Sequence, residues 1–225
     1  MSQVIRGVHR ENPGTPRYEE FYDPDLVRTY LASWGPTSSL STEQLRNKAI
    51  VLVKIASMRR AADLAAIRLS TQRIFHDRWE FRACLIKEIG VSQGRMLWSA
   101  PILVWKHRQV EYCPVHALQL YLDRVAALRP FGLQSLFLST RSPFVPLGSQ
   151  TLNSITTKIL RLAGVGEVFT SHSTRMAEAS SRLAQGQAPL QVMRQGGWSS
   201  TGVFHRHYAR VTLVAPASAP VQESM

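Results

Sequence analysis

"STEQLRNKAIVLVKIASMRRAADL", residues 41–64, holds an apolar helix and a pair of arginines in one short span. Ser41 and Gln44 stand in capping-box spacing, in which the hydroxyl and the amide each satisfy an end donor of a new helix. A strong apolar stripe follows, so a helix with a buried face is predicted. Arg59 and Arg60 come next, ahead of a second apolar helical stretch whose Asp63 lies three residues beyond Arg60. An arginine that begins a buried-face helix beside a carboxylate is held firmly enough to clamp an anion. A surface arginine paired with Asp63 has the same signature, and this stretch alone does not choose between them.

Upstream, "DPDLVRTYLASWG" (23–35) offers Pro24 at a first helical position and Gly35 as a stop. Downstream, "STQRIFHDRWEFRACLIKEIG" (70–90) mixes β-branched and aromatic residues around a turn-like "HDRWE", and "PILVW" (101–105) adds a short apolar run. Together they predict a small antiparallel sheet at about 71–105. From Cys113 the pattern is helical again. "CPVHALQLYLDRVAALRP" runs from Pro114 to Pro130, and "SQTLNSITTKILRLAG" from a Ser149 cap to Gly164. "STRMAEASSRLAQG", "PLQVMRQGG" and "SSTGVFHRHYAR" are shorter helical segments punctuated by Gly and Pro. The fold class is therefore α+β, mainly α with a small antiparallel sheet inserted early. Residues 1–22 read as a flexible leader or linker, 23–210 as the folded domain, and 211–225 as a disordered tail.

A chain of 225 residues suffices for one large domain, and 44% hydrophobic with 19% charged residues is the composition of a folded globule. Its 27 Lys and Arg against 15 Asp and Glu give a formal charge of +12, which favours a polyanionic partner, nucleic acid first. Few of the basic residues are lysines, and guanidinium suits bidentate phosphate contact, although a GC-rich coding bias gives the same excess. No apolar run approaches the roughly 20 residues of a spanning helix, so no membrane partner is expected. Cys84 and Cys113 form neither a CxxC pair nor a disulfide framework, and the N-terminus lacks an apolar signal core, which together predict an intracellular protein.

Four groups could carry chemistry. His172 and Arg175 lie three apart on the first turn of a predicted helix, where backbone N–H groups, a guanidinium fork and an imidazole can converge on a phosphate. Arg59 or Arg60 is the second group. Lys87, near the end of the second predicted strand, can protonate a leaving oxygen from a hairpin, with Lys106 as its rival. Tyr208 can act as a nucleophile if cations favour its phenolate, and Trp198 offers one indole N–H. His205 and His207 suggest a metal site only weakly, since no carboxylates and no placed third ligand accompany them.

Taken in order, an early Arg, a hairpin Lys, "HSTR", Gly-Trp and a terminal Tyr resemble the catalytic domain of the tyrosine recombinase (phage integrase) family, over roughly residues 23–210. "CPVHALQLYLDRVAALRP", "LFLS", "HSTR" and "GWSSTGVFHRHYAR" resemble most the recombinases of eukaryotic DIRS-type retroelements. The resemblance implies site-specific cleavage and rejoining of double-stranded DNA through a 3′-phosphotyrosyl link, with self-association on DNA and a nuclear setting. It implies that Tyr208 is the nucleophile, Arg60 and Arg175 the clamp arginines, His172 and Lys87 the proton-handling groups, Trp198 a further donor and Asp63 a support. Arg59 is the alternative first arginine. Because a transesterification retains the bond energy, neither metal nor ATP is called for. The chain departs from the family in having only about 22 residues ahead of the catalytic region, in reading "SMRR" where many members have Gly-Leu-Arg, and in Trp198 for the commoner His. A type IB topoisomerase and a silent DNA-binding relic are the competing readings.

Overall fold

The computed structural model describes residues 20–84, 98–207 and 212–214. Its central element is the helix expected from the opening stretch. α1 (Pro24–Ala32) precedes it, α2 (Thr42–Ser57) is the helix itself, and the short α3 (Ala61–Ala65) follows. Ser41 caps α2 as its spacing requires: the hydroxyl accepts from the Gln44 N–H at 3.2 Å, and the Gln44 side chain accepts from the Ser41 N–H at 3.1 Å. Leu45, Ile50, Val51, Leu52, Val53 and Ile55 are buried, and so are Lys48 and Lys54, so α2 is enclosed on all sides from Lys48 onward. Each such apolar side chain stabilises the fold by roughly 1.5–3 kcal/mol, which makes α2 the anchor of the domain. It packs on α4 (Pro114–Val125), α5 (Ser149–Leu162) and α6 (Ser173–Ala184). Lys48 tolerates this burial because its ammonium donates to Thr37 Oγ1 at 2.9 Å and Glu111 Oε2 at 3.3 Å.

The predicted sheet is present as β2 (Ile67–Ile74), β3 (Arg78–Ala83) and β4 (Ile102–Trp105), antiparallel in that order. β3 alternates as a half-buried strand should: Trp79, Phe81 and Ala83 are buried, and the residues between them are not. The turn is tighter than "HDRWE" suggests, because Arg78, Trp79 and Glu80 already belong to β3 and Phe75 N–H donates to Arg78 O at 2.9 Å. Between Arg68 and Arg73 the register shifts, and Thr71 bridges the irregularity by accepting from Arg82 N–H at 2.9 Å.

Helix α5 corrects one cap. Gly148, extended, is its N-cap, and Ser149 is its first residue, so no side chain closes this end. α7 (Pro189–Gly196) and α8 (Thr201–His207) complete the helices. The boundaries drawn at the two ends also move. Glu20–Tyr22 forms β1 and Thr212–Val214 forms β5, paired in parallel, so residues assigned to the leader and the tail take part in the fold. Phe21 and Tyr22 are buried in the core, and Tyr22 meets the Phe169 ring edge-on at 5.3 Å.

A polar network ties the helices that carry the site. Glu178 of α6 accepts from Arg28 of α1 at 2.6 Å and from Arg182 one turn on at 2.7 Å. Arg182 also donates to Gln195 at 2.6 Å, and both Arg182 and Gln195 donate to Ala56 O. The last turn of α2 thereby gains partners for a carbonyl the helix leaves open.

Candidate active site

The site begins where α2 ends. Met58 takes a left-handed conformation (φ 51°), and its N–H closes back on Lys54 O and Ile55 O. A glycine would adopt this turn without strain, and the sequence has a methionine here. A left-handed non-glycine residue costs roughly 1–2 kcal/mol, and burial of the Met58 side chain offsets it. Met58 packs with Ala179, Val192, Met193 and Phe204 in a small cluster beneath Trp198.

The turn delivers Arg59 and Arg60 to different environments. Arg59 is 6% exposed, donates through Nη2 to Pro101 O at 3.0 Å, and is held by burial below the ordinary arginine range. Arg60 is exposed at the N-cap of α3, where its backbone N–H donates to Asp63 Oδ2 at 3.1 Å. Asp63 therefore secures the turn through the main chain.

Across the cleft, α6 brings the second pair. His172 is its exposed N-cap residue, and Arg175 lies buried three positions on. The Arg175 guanidinium stacks over the Trp198 ring, 3.9 Å from its centroid, and that ring stands edge-on to Phe204 at 4.9 Å. Such a cation–π contact is worth about 0.5–2 kcal/mol and fixes the guanidinium plane.

Lys54, Arg59, Arg60, Ala61, Ser171, His172 and Arg175 together line a cleft of about 60 Å³. One water needs about 10–15 Å³ of space measured in this way, so the cleft suits a small oxyanion rather than a metabolite. No carboxylate is among those lining residues. Two glycines make the packing possible. A Cβ on Gly196 would enter the Trp198 ring, and one on Gly197, left-handed at φ 74°, would enter the Arg59 guanidinium.

Of the residues expected to act, the structure thus brings together Arg59, Arg60, His172 and Arg175 around one cleft, with Asp63 and Trp198 in support. Lys106 does not line it; this residue is exposed beyond β4. Lys87 and Tyr208 lie outside the described residues. His205 is exposed on α8, and among the described residues no three His, Cys, Asp or Glu stand close enough to hold a metal ion. Sequence reasoning missed Lys54 and Ser171. The only signal for Lys54 is a lysine inside the otherwise apolar run "AIVLVKIA".

The mainly α domain with its small three-stranded antiparallel sheet has the fold of the tyrosine recombinase catalytic domain, and solved structures of that class share it. The XerA recombinase is 20% identical with a TM-score of 0.63, covering 89% of this chain and 62% of that one. The Tn1549 transposon integrase in complex with transposon right end DNA is 14% identical with a TM-score of 0.60, covering 89% and 64%. The XerH site-specific recombinase bound to palindromic difH substrate is 12% identical with a TM-score of 0.61, covering 83% and 48%. The chain thus spans from about half to just under two thirds of the length of these proteins. No family model and no curated sequence matches it. No helix among the described residues is long and apolar enough to cross a membrane.

Proposed function

We propose that the chain is a DNA breaking and rejoining enzyme, a tyrosine recombinase that acts on double-stranded DNA through a 3′-phosphotyrosyl link to Tyr208. One observation carries this reading: Arg60, His172 and Arg175, remote in sequence, converge on a single cleft of phosphate size that no carboxylate lines. The clamp role goes to Arg60 rather than Arg59, since Arg59 spends its Nη2 on Pro101 O beneath Gly197 and Arg60 remains exposed.

The chemistry follows from charge. Arg60 and Arg175 bind the non-bridging oxygens and neutralise them as phosphorus becomes pentacovalent. The Tyr208 phenol oxygen attacks phosphorus, the bond to the 5′ oxygen breaks, and Lys87 gives that oxygen its proton while His172 takes the phenol proton. Trp198 holds Arg175 in plane. Attack by a 5′-hydroxyl reverses the step. In this reading residues 23–210, flanked by β1 and β5, form the catalytic unit, copies of it associate on DNA, and the sequence resemblance to DIRS-type recombinases is the support for mobility of a genetic element in a nucleus.

Incubation with a nicked suicide duplex tests the proposal. Wild type is expected to yield a covalent protein–DNA adduct, and Tyr208→Phe none. The proposal fails if wild type gives no adduct or Tyr208→Phe gives an undiminished one. Supercoil relaxation without strand exchange would reassign the chain as a topoisomerase, and DNA binding with neither outcome as a silent relic.

A further inference from the structure

We propose that Lys54, to which no role was assigned above, is a further anion-contacting residue of the cleft, its ammonium meeting a non-bridging oxygen of the bound phosphodiester from the buried wall. The inference rests on the reading of the cleft as a phosphate site.

Two lysines of α2 are buried, and they are built differently. Lys48 is satisfied by the Glu111 carboxylate. Lys54, 2% exposed, donates to Ser171 Oγ and to Asn153 Oδ1, the latter at 3.1 Å, and both acceptors are neutral. Ser171 donates in turn to Asn153 Oδ1 at 2.7 Å, so the three side chains form a closed set of which Lys54 and Ser171 line the cleft. An ammonium has three donors, and these contacts use two. A buried cation without a counter-ion is costly, and a structural role alone would be served by an apolar side chain in this run.

The charged groups around Lys54 do not repair that cost. Arg59 and Arg60 line the same cleft from the turn after α2, and His172 and Arg175 from the start of α6, while the α5 group bonded to Lys54 is the neutral Asn153. Asp63 is engaged with the Arg60 N–H. Burial consequently brings the Lys54 ammonium down to about 8. An anion in the cleft supplies the missing charge, and by linkage whatever raises the ammonium's affinity for its proton is itself bound more tightly when that proton is present.

Selective ¹³C-lysine labelling of the 225-residue chain gives a direct reading, because the sequence has only five lysines, Lys48, Lys54, Lys87, Lys106 and Lys158. The Tyr208→Phe protein and a short DNA duplex form the noncovalent complex, and Lys54→Met, or Lys54→Arg where that variant does not fold, assigns the resonance. In the free protein Lys54 is expected to titrate near 8. In the complex its midpoint should rise by about one pH unit or more, which corresponds to about a tenfold tighter duplex affinity below the midpoint than above it. That pH dependence should vanish in Lys54→Met. An unmoved midpoint in a complex that Arg175→Ala abolishes overturns the role of Lys54 and leaves the phosphate site standing. Duplex binding indifferent to both Arg60→Ala and Arg175→Ala overturns the phosphate site, and the role of Lys54 with it.

Discussion

Helix α6 borders two polar centres that are built on opposite terms. On one, Glu178 neutralises Arg28 and Arg182; burial pulls the Arg28 guanidinium down, and the Glu178 and Asp25 carboxylates more than restore it. On the other, burial pulls Arg59 and Lys54 down, and Asp63 offsets only part of this for Arg59. The first centre also lines the larger cleft, about 520 Å³, yet its charges already answer one another. The second is small, cationic and lined by no carboxylate. Charge is balanced at the first centre and unbalanced at the second, which is why the proposed function places the anion at the second.

The sharpest way to break this contrast is to remove one cation from each centre. Arg175→Ala should slow adduct formation on a suicide duplex about 10²–10³-fold, the loss typical of a donor to a developing oxyanion. Arg175→Lys should recover little, because an ammonium cannot replace a planar fork stacked on Trp198. Equal rates for wild type and Arg175→Ala would place the reacting phosphate elsewhere. On the balanced side the loss should appear in stability instead. Glu178→Ala leaves Arg182 without a carboxylate and Arg28 with Asp25 alone, and is expected to destabilise by about 3 kcal/mol in denaturant unfolding, the cost typical of breaking a buried ion pair from one side. An unchanged unfolding midpoint would mean that the network holds nothing.

The smallest effect probes how closely the cleft is packed. Gly197→Ala places a Cβ at a left-handed position against the Arg59 guanidinium. About 1–2 kcal/mol of stability should be lost from the backbone alone. Adduct formation should fall with it, because Arg59 and its neighbour Arg60 share one turn. Loss of stability without any change in that rate would show that Arg59 is a structural residue only.

Much of this was legible in the sequence, for local reasons. The Ser41–Gln44 capping box places α2, alternation places β3, and the spacing of His172 and Arg175 puts both at one helix start. What was not legible depends on contacts between distant segments. Lys54 reads as one polar residue on an apolar helix until α5 and α6 are seen to enclose it. Which of Arg59 and Arg60 turns inward follows from Met58 adopting a left-handed turn, a conformation the residue type does not announce. Gly196 and Gly197 look like a helix stop, and Gly197 does serve as the C-cap of α7; the clearance they give to Trp198 and Arg59 is a tertiary matter. The strands β1 and β5 are too short for any periodicity to mark.

Peptide mapping of the trapped adduct by mass spectrometry identifies the residue that carries the DNA. A nucleotide mass is expected on the peptide that contains Tyr208, joined through a 3′ phosphate and absent from Arg175→Ala treated for the same time. Attachment to any other residue, or through a 5′ phosphate, would contradict the proposed function.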